Sequence, residues 1–215
     1  MTVPLILAST SPARLALLRS AGVEPVVIPS DVDEPAAVRQ EEIRVGHPLD
    51  TAGTVELLAR AKAEAVAGSR TDDLDGLLLG GDSAFELDGV VHGKPHTAER
   101  ARERWQQQRG RTGVLFSGHW LIDLRRDSPA RGRGVGAVAS ASVSFADDIS
   151  DDEIERYIAS GEPLQVAGAF TIDSLGGPLI RRIEGDPSTV VGLSLPTLRT
   201  LARGLGVEFT DLWNR

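Results

Sequence analysis

The chain has 215 residues, 41% of them hydrophobic, and a formal net charge of −8, which suffices for a full core in one large domain or two small ones. The acidic balance argues against a binder of nucleic-acid polymers, which needs a basic surface, but leaves room for a small anionic ligand held by a few local cations. Cysteine is absent, which excludes disulfides, thiolate catalysis and Cys-based metal sites. The first element is "PLILA" (residues 4–8), a short apolar run that reads as a buried strand. Ser11 then caps a helix with Pro12 at its first position; Leu15, Leu18 and Ala21 form its apolar stripe, and Gly22 ends it. "EPVVIPS" reads as a second strand and runs into an acidic stretch with Asp31, Asp33 and Glu34.

Residues 35–53 are polar and contain Gly46, Pro48 and Gly53, which fits a loop or a mobile helix. A helix is expected from about Thr54 to Gly68, with Val55, Leu58, Ala61 and Ala65 at helical spacing. "GLLLGGD" reads as a buried strand that stops at two glycines and Asp82. "FELDGVVHGKP" reads as a hairpin turning at Asp88-Gly89, followed by a charged helix over residues 97–108 that carries Trp105. "TGVLFSGHWLIDL" and "VGAVASASVSFA" are two strands joined by the basic, Gly-rich "RRDSPARGRG". Ser150 and Glu153 have capping-box spacing before another helix. "VAGAFTIDS" and "PLIRRIEGD" read as the last strands, before a helix from Leu195 to Gly204. Aromatic residues make up only 4% of the chain, so an aliphatic core is expected. There is no charged and apolar leader pattern and no run of membrane-spanning length, so a cytoplasmic protein with no membrane partner is expected.

Four stretches carry side chains suited to chemistry. In "STSPAR" (residues 9–14), three hydroxyls, a helix N-terminus and Arg14 in the first turn make a potential anion cradle; an over-capped helix with an exposed arginine fits the same letters. The carboxylates of "SDVDE" could hold a divalent cation or form a solvated turn. In "GGDS", Asp82 stands beside two glycines at the end of a strand, where ligands collect in open α/β sheets; a turn aspartate is the plain alternative. In "HGKP", Lys94 sits in a loop stiffened by Pro95 and could meet a phosphate as a point charge, as could Lys62 beside the apolar stripe of its helix, unless it simply snorkels to water. "GRGVGA" does not link a strand to a helix and is no dinucleotide loop. His47, His92, His96 and His119 lack zinc-ligand spacing.

In sequence order, "LILASTSPARLALLRSAGV", "DVDE", "ARAKAEAV", "LLGGDSAFELDGVVHGKP", "TGVLFSGH", "EIERYIASGEPLQVAGAFTIDSLGG" and "IEGDPSTVVGLSLPTL" resemble the Maf family of nucleoside triphosphate pyrophosphatases, in wording closest to actinobacterial members. The resemblance covers residues 5–203. It implies an α/β fold: an elongated, twisted mixed sheet flanked by helices, like that of the inosine triphosphatases, forming a single domain over residues 1–215 with two lobes around one central cleft. It implies metal-dependent hydrolysis of nucleoside triphosphates to monophosphate and pyrophosphate with Mg²⁺ or Mn²⁺, a role in cleansing the pool of modified nucleotides, and a homodimer.

Position by position, Ser9 and Arg14 match the family's phosphate-contacting residues, and Lys62 and Lys94 its two polyphosphate lysines. Glu34 matches a metal-binding carboxylate. Asp82 matches the catalytic proton acceptor, which would also face the metal. Ala13 stands where many members have a second basic residue, and Asp173 where many have Gln. These two positions are therefore candidate determinants of specificity, and neither the thymidine/uridine nor the methylated-guanosine preference of known subgroups carries over. A nucleotide-binding regulator of cell division with little turnover would use the same cradle without the general base.

Overall fold

The computed structural model describes residues 2–70 and 73–215, apart from the Arg70 side chain. Strand β1 (Leu5–Ala8) is buried along its whole length, as expected of a parallel strand covered on both faces. It pairs in parallel with β2 (Val26–Val27) on one side and with β3 (Leu77–Leu87) on the other. β3 turns at Asp88-Gly89 into the antiparallel β4 (Val90–His92). Both turn residues have positive φ, +51° and +77°, the requirement of a type I′ turn. β5 (Thr112–Asp123), β6 (Gly134–Phe145) and β7 (Ile180–Gly185) complete an open mixed sheet in the order β2-β1-β3-β5-β6-β7, with β4 on β3.

The helices are α1 (Pro12–Ser20), α2 (Glu34–Val45), α3 (Thr51–Arg70), α4 (Ala98–Gln108), α5 (Asp151–Ala159), α6 (Pro187–Val191) and α7 (Leu195–Gly204). Among the described residues, none is long and apolar enough to cross a membrane.

Contacts divide the chain into two units. One takes the chain up to Asp82 together with Ser117–Ala139 and Gly192–Arg215; the other takes Ser83–Phe116 and Ser140–Val191. In the first unit the pleat sorts the core by alternation. Leu5, Leu7, Leu77 and Leu79 pack with Leu18 of α1 and Leu198 and Leu201 of α7. Ile6, Ala8 and Leu78 pack with Ala63 and Val66 of α3. This core is aliphatic, as expected. The second unit departs from that expectation: Phe85, Trp105, Phe145, Tyr157 and Phe170 meet in its core, in edge-to-face pairs with centroids 5.0–5.5 Å apart for Phe145–Phe170, Phe85–Phe170, Trp105–Phe145 and Trp105–Tyr157. A low overall aromatic fraction says nothing about clustering, and edge-to-face pairing rewards it.

Two other expectations are corrected and one open alternative is decided. The strand through "GLLLGGD" does not stop at its glycines; β3 continues to Leu87, and Asp82 lies within it. Gly80 is there for clearance, since a Cβ would lie 2.1 Å from the Ala59 carbonyl oxygen of α3. "VAGAFTIDS" is not a strand but a short 3₁₀ turn, Ala167–Ala169, followed by irregular backbone; Gly168 and Ala169 both have positive φ, +73° and +60°, and two such residues in succession do not continue a regular strand. Of the two readings left open for the polar stretch after residue 34, helix holds as far as Val45: this is α2, capped by Asp33, whose side chain accepts from the Ala36 N–H at 2.9 Å. It buries no side chain, which is why its letters fitted a loop equally well. Helix α6 gave no recognised sequence signal.

The two glycines give a paired prediction. Gly80→Ala should destabilise the protein by about 3 kcal/mol through overpacking against α3. Gly68→Ala, inside α3 with open space around it, should stabilise it by about 0.5–1 kcal/mol. Urea unfolding of both variants checks the opposite signs.

Candidate active site

The site grows out of the end of β1. Ser11 caps α1 and its side chain accepts from the Arg14 N–H at 3.4 Å. Ser9, one residue past β1, turns its Oγ back to accept from the Ser11 N–H at 3.1 Å and from an Arg14 guanidinium nitrogen, Nη1, at 3.1 Å. The Arg14 Nε–H donates to the Gly192 carbonyl at 2.7 Å. Arg14 is only 8% exposed, so the reading of an exposed arginine is excluded. The guanidinium passes over Gly81, where a Cβ would lie 3.2 Å from Nε. The second glycine of "GGD" thus clears a path for the arginine beside Asp82.

Lys62 comes from α3 and meets two carboxylates. Its Nζ lies 2.7 Å from Asp82 Oδ1 and 2.8 Å from Glu34 Oε1. Lys62 and Asp82 side chains are 13% and 16% exposed, that of Glu34 47%. Glu34 is the first residue of α2, not the end of a strand, and Asp33 beside it is engaged as the helix cap. Burial pushes the Asp82 carboxyl above the usual range; the positive charges of Lys62 and Arg14 oppose the shift, and the Glu34 charge adds to it. Burial also lowers the Arg14 pKa, against the pull of Asp82 and Glu34.

Ser9, Arg14, Glu34, Lys62 and Asp82 are therefore brought together in the first unit. Ala13 is half-buried in the first turn of α1. Lys94 and Asp173 belong to the second unit. Lys94 is exposed just past β4, before the buried Pro95; Asp173 is exposed in the irregular stretch after Phe170. Two participants escaped the sequence reading. The Gly192 carbonyl has no recognisable motif. Gly81 carried a signal, a glycine next to a candidate acid, but it read as a strand terminator.

The residues fit a divalent cation in a limited way. No group of three His, Asp or Glu side chains converges among the described residues. Two carboxylate oxygens do converge, on the Lys62 ammonium. A protein offering two carboxylates and leaving the remaining positions to water and phosphate oxygens matches the habits of Mg²⁺.

Residues 4–205 match the family described as Maf-like protein. Two curated relatives bear the name nucleoside triphosphate pyrophosphatase. That of Leifsonia xyli subsp. xyli is 67% identical over 212 residues, covering 98% of this chain and 97% of its own length. That of Salinispora tropica is 50% identical over 215 residues, covering 98% and 88%. Among solved structures, the Staphylococcus aureus Ham1 protein aligns with a TM-score of 0.46 at 13% identity, over 94% of this chain and 98% of that one.

The buried position of Arg14 gives the site a structural cost as well as a binding one. Arg14→Ala, without any nucleotide present, should lose about 1–3 kcal/mol of stability as the bonds to Ser9 and Gly192 go. Urea unfolding measures it, and a variant as stable as the parent would show that Arg14 is held by its surroundings without holding them.

Proposed function

The chain belongs to the Maf family, and on that premise we propose that it hydrolyses nucleoside 5′-triphosphates to the nucleoside monophosphate and pyrophosphate. The observation that carries this reading is the Lys62 ammonium held between Asp82 and Glu34, next to the buried Arg14. A site for a polyphosphate needs fixed cations and N–H donors. A site that also cleaves it needs a base near the phosphates, and Asp82, beside Lys62 and Arg14, is assigned that role. A mere nucleotide binder needs the cations but no general base.

In the proposed reaction a water oxygen bonds to the α-phosphorus and the bond to the α–β bridging oxygen breaks, so pyrophosphate leaves. Asp82 takes the proton of the attacking water. Ser9 and Arg14 bind phosphate oxygens, and Lys62 and Lys94 add positive charge along the chain of phosphates. Cations fixed in place before the reaction would supply most of the electrostatic stabilisation. Glu34 and Asp82 would hold the divalent cation, Mg²⁺ or Mn²⁺, whose chemistry is to neutralise phosphate charge and polarise the scissile group.

Ala13 and Asp173 are assigned to substrate choice. A carboxylate accepts from a ring N–H or exocyclic amine but cannot donate, unlike the Gln of many relatives, so selection among bases, modified ones included, would differ here. Removal of modified nucleotides from the cytoplasmic pool and a homodimeric state complete the proposal; they rest on the family resemblance.

Asp82→Asn should lose about 10²–10⁴ in kcat while retaining triphosphate binding. Pyrophosphate release and calorimetry with a non-hydrolysable analogue check the two halves, and wild-type turnover in the variant would remove Asp82 from the mechanism. The pH dependence has a definite sign. The base must be ionised, so kcat should rise with pH through the Asp82 pKa, which burial places above the ordinary Asp value of about 3.9. A pH–rate profile whose acid limb ended below that value would contradict the assignment. A product analysis finding phosphate in place of pyrophosphate would overturn the reaction itself.

A further inference from the structure

The second unit contains a carboxylate with an unusually full set of donors, far from any role in phosphate binding. Glu162 opens the 3₁₀ turn Glu162–Gln165. Its Oε1 accepts from the Tyr157 hydroxyl at 3.0 Å, from the Gly176 N–H at 3.2 Å and from the Thr171 hydroxyl; its Oε2 accepts from the Ser174 hydroxyl at 2.7 Å and the Leu175 N–H at 3.3 Å. The Tyr157 hydroxyl in turn accepts from the Thr171 N–H at 3.2 Å. Residues 171–176 have no strand or helix. Their backbone is wound around one anion instead. Gly176 makes the winding possible, since a Cβ there would lie 2.6 Å from the Tyr157 hydroxyl oxygen.

The loop turns its hydroxyls and N–H groups inward to Glu162. What it exposes is Asp173, Ser174 and Leu175, the last 60% exposed, and of the three Ser174 already has its hydroxyl on Glu162. Asp173 takes none of the bonds that hold the loop. An acceptor beside a large exposed apolar side chain is a pair suited to the edge and face of a heterocyclic base. Without an anchor, six irregular residues would sample many conformations and discriminate little, because ordering them on binding costs free energy for every substrate alike.

We propose that Glu162 is the positioning residue of base selection: its carboxylate fixes the 171–176 loop, and with it Asp173, in the conformation that distinguishes one nucleotide base from another. This rests on the assignment of Asp173 to substrate choice made above. The anchor has to be a carboxylate. Each of its oxygens faces a backbone N–H, Gly176 on one side and Leu175 on the other. A glutamine in its place would aim its NH₂ group at one of these fixed donors whichever way it flipped.

The test uses the full chain with Glu162→Gln, and Glu162→Asp as a second variant that keeps the charge but shortens its reach. For ATP, GTP, CTP, UTP and dTTP, kcat/KM is measured, together with amide hydrogen exchange over 171–176. The expected result for Glu162→Gln is faster exchange at Leu175 and Gly176. The spread between best and worst substrate should narrow at least tenfold, chiefly through KM, while kcat on the best substrate changes by less than that. A purely structural role would instead lower turnover on all five substrates by a similar factor, and that outcome overturns the proposal. So does faster exchange with selectivity intact. If Glu162→Gln does not fold, Glu162→Asp is judged by the same criteria. If the unaltered chain releases pyrophosphate from none of the triphosphates, the hydrolytic reading fails. The present proposal is then decided by the Kd ratios of non-hydrolysable triphosphates of the same bases: ratios that converge in the variants support it, and ratios that persist overturn it.

Discussion

A guanidinium almost removed from water dictates much of what surrounds it. Arg14 forfeits its hydration, and a charge so placed must be hydrogen-bonded and opposed by negative charge. Ser9 and the Gly192 carbonyl supply the bonds; Asp82 and Glu34 supply the field. Those carboxylates in turn need a cation, and Lys62 stands between them. Each member makes burial of the next tolerable. The glycines follow from the same constraint: Gly81 leaves space for the guanidinium and Gly80 lets α3, which bears Lys62, approach β3 closely. Removing one side chain from such a set leaves it with one unbalanced charge, so substitutions within it should couple rather than add.

Much of this was legible in the letters. The cap at Ser11, the turn at Asp88-Gly89, the capping box at Ser150 and Glu153, and the helix after Ser194 are local features, decided by the chemistry of neighbouring residues. The long apolar runs read correctly as strands for the same reason. The failures share a cause. Whether the two glycines end a strand or let a helix come close depends on α3, which approaches from sequence positions well before them. Whether "VAGAFTIDS" becomes a strand or a wound loop depends on Glu162 and Tyr157 and on the positive φ values at Gly168 and Ala169. An alternation of apolar and polar letters cannot report either.

The candidate site divides along the same line. The cations and acids were identifiable one at a time, because their types and neighbours suit phosphate chemistry. What the sequence could not supply was which of them meet. The ion triad centred on Lys62 and the burial of Arg14 are tertiary facts. The same holds for Glu34, which reaches Lys62 while its neighbour Asp33 only caps the start of α2.

Helix α2 illustrates what that last contact implies. It fully buries no side chain of its own although it packs against α3, and among its attachments is the Glu34–Lys62 pair at its first residue. Elements with so few buried contacts open most readily in the native state. Any ligand that draws Lys62 toward itself loosens this attachment, and by thermodynamic reciprocity whatever clamps α2 must alter the affinity of Lys62 for that ligand by the same factor. The charge of a single ammonium thus links the seating of this helix to the occupancy of the site.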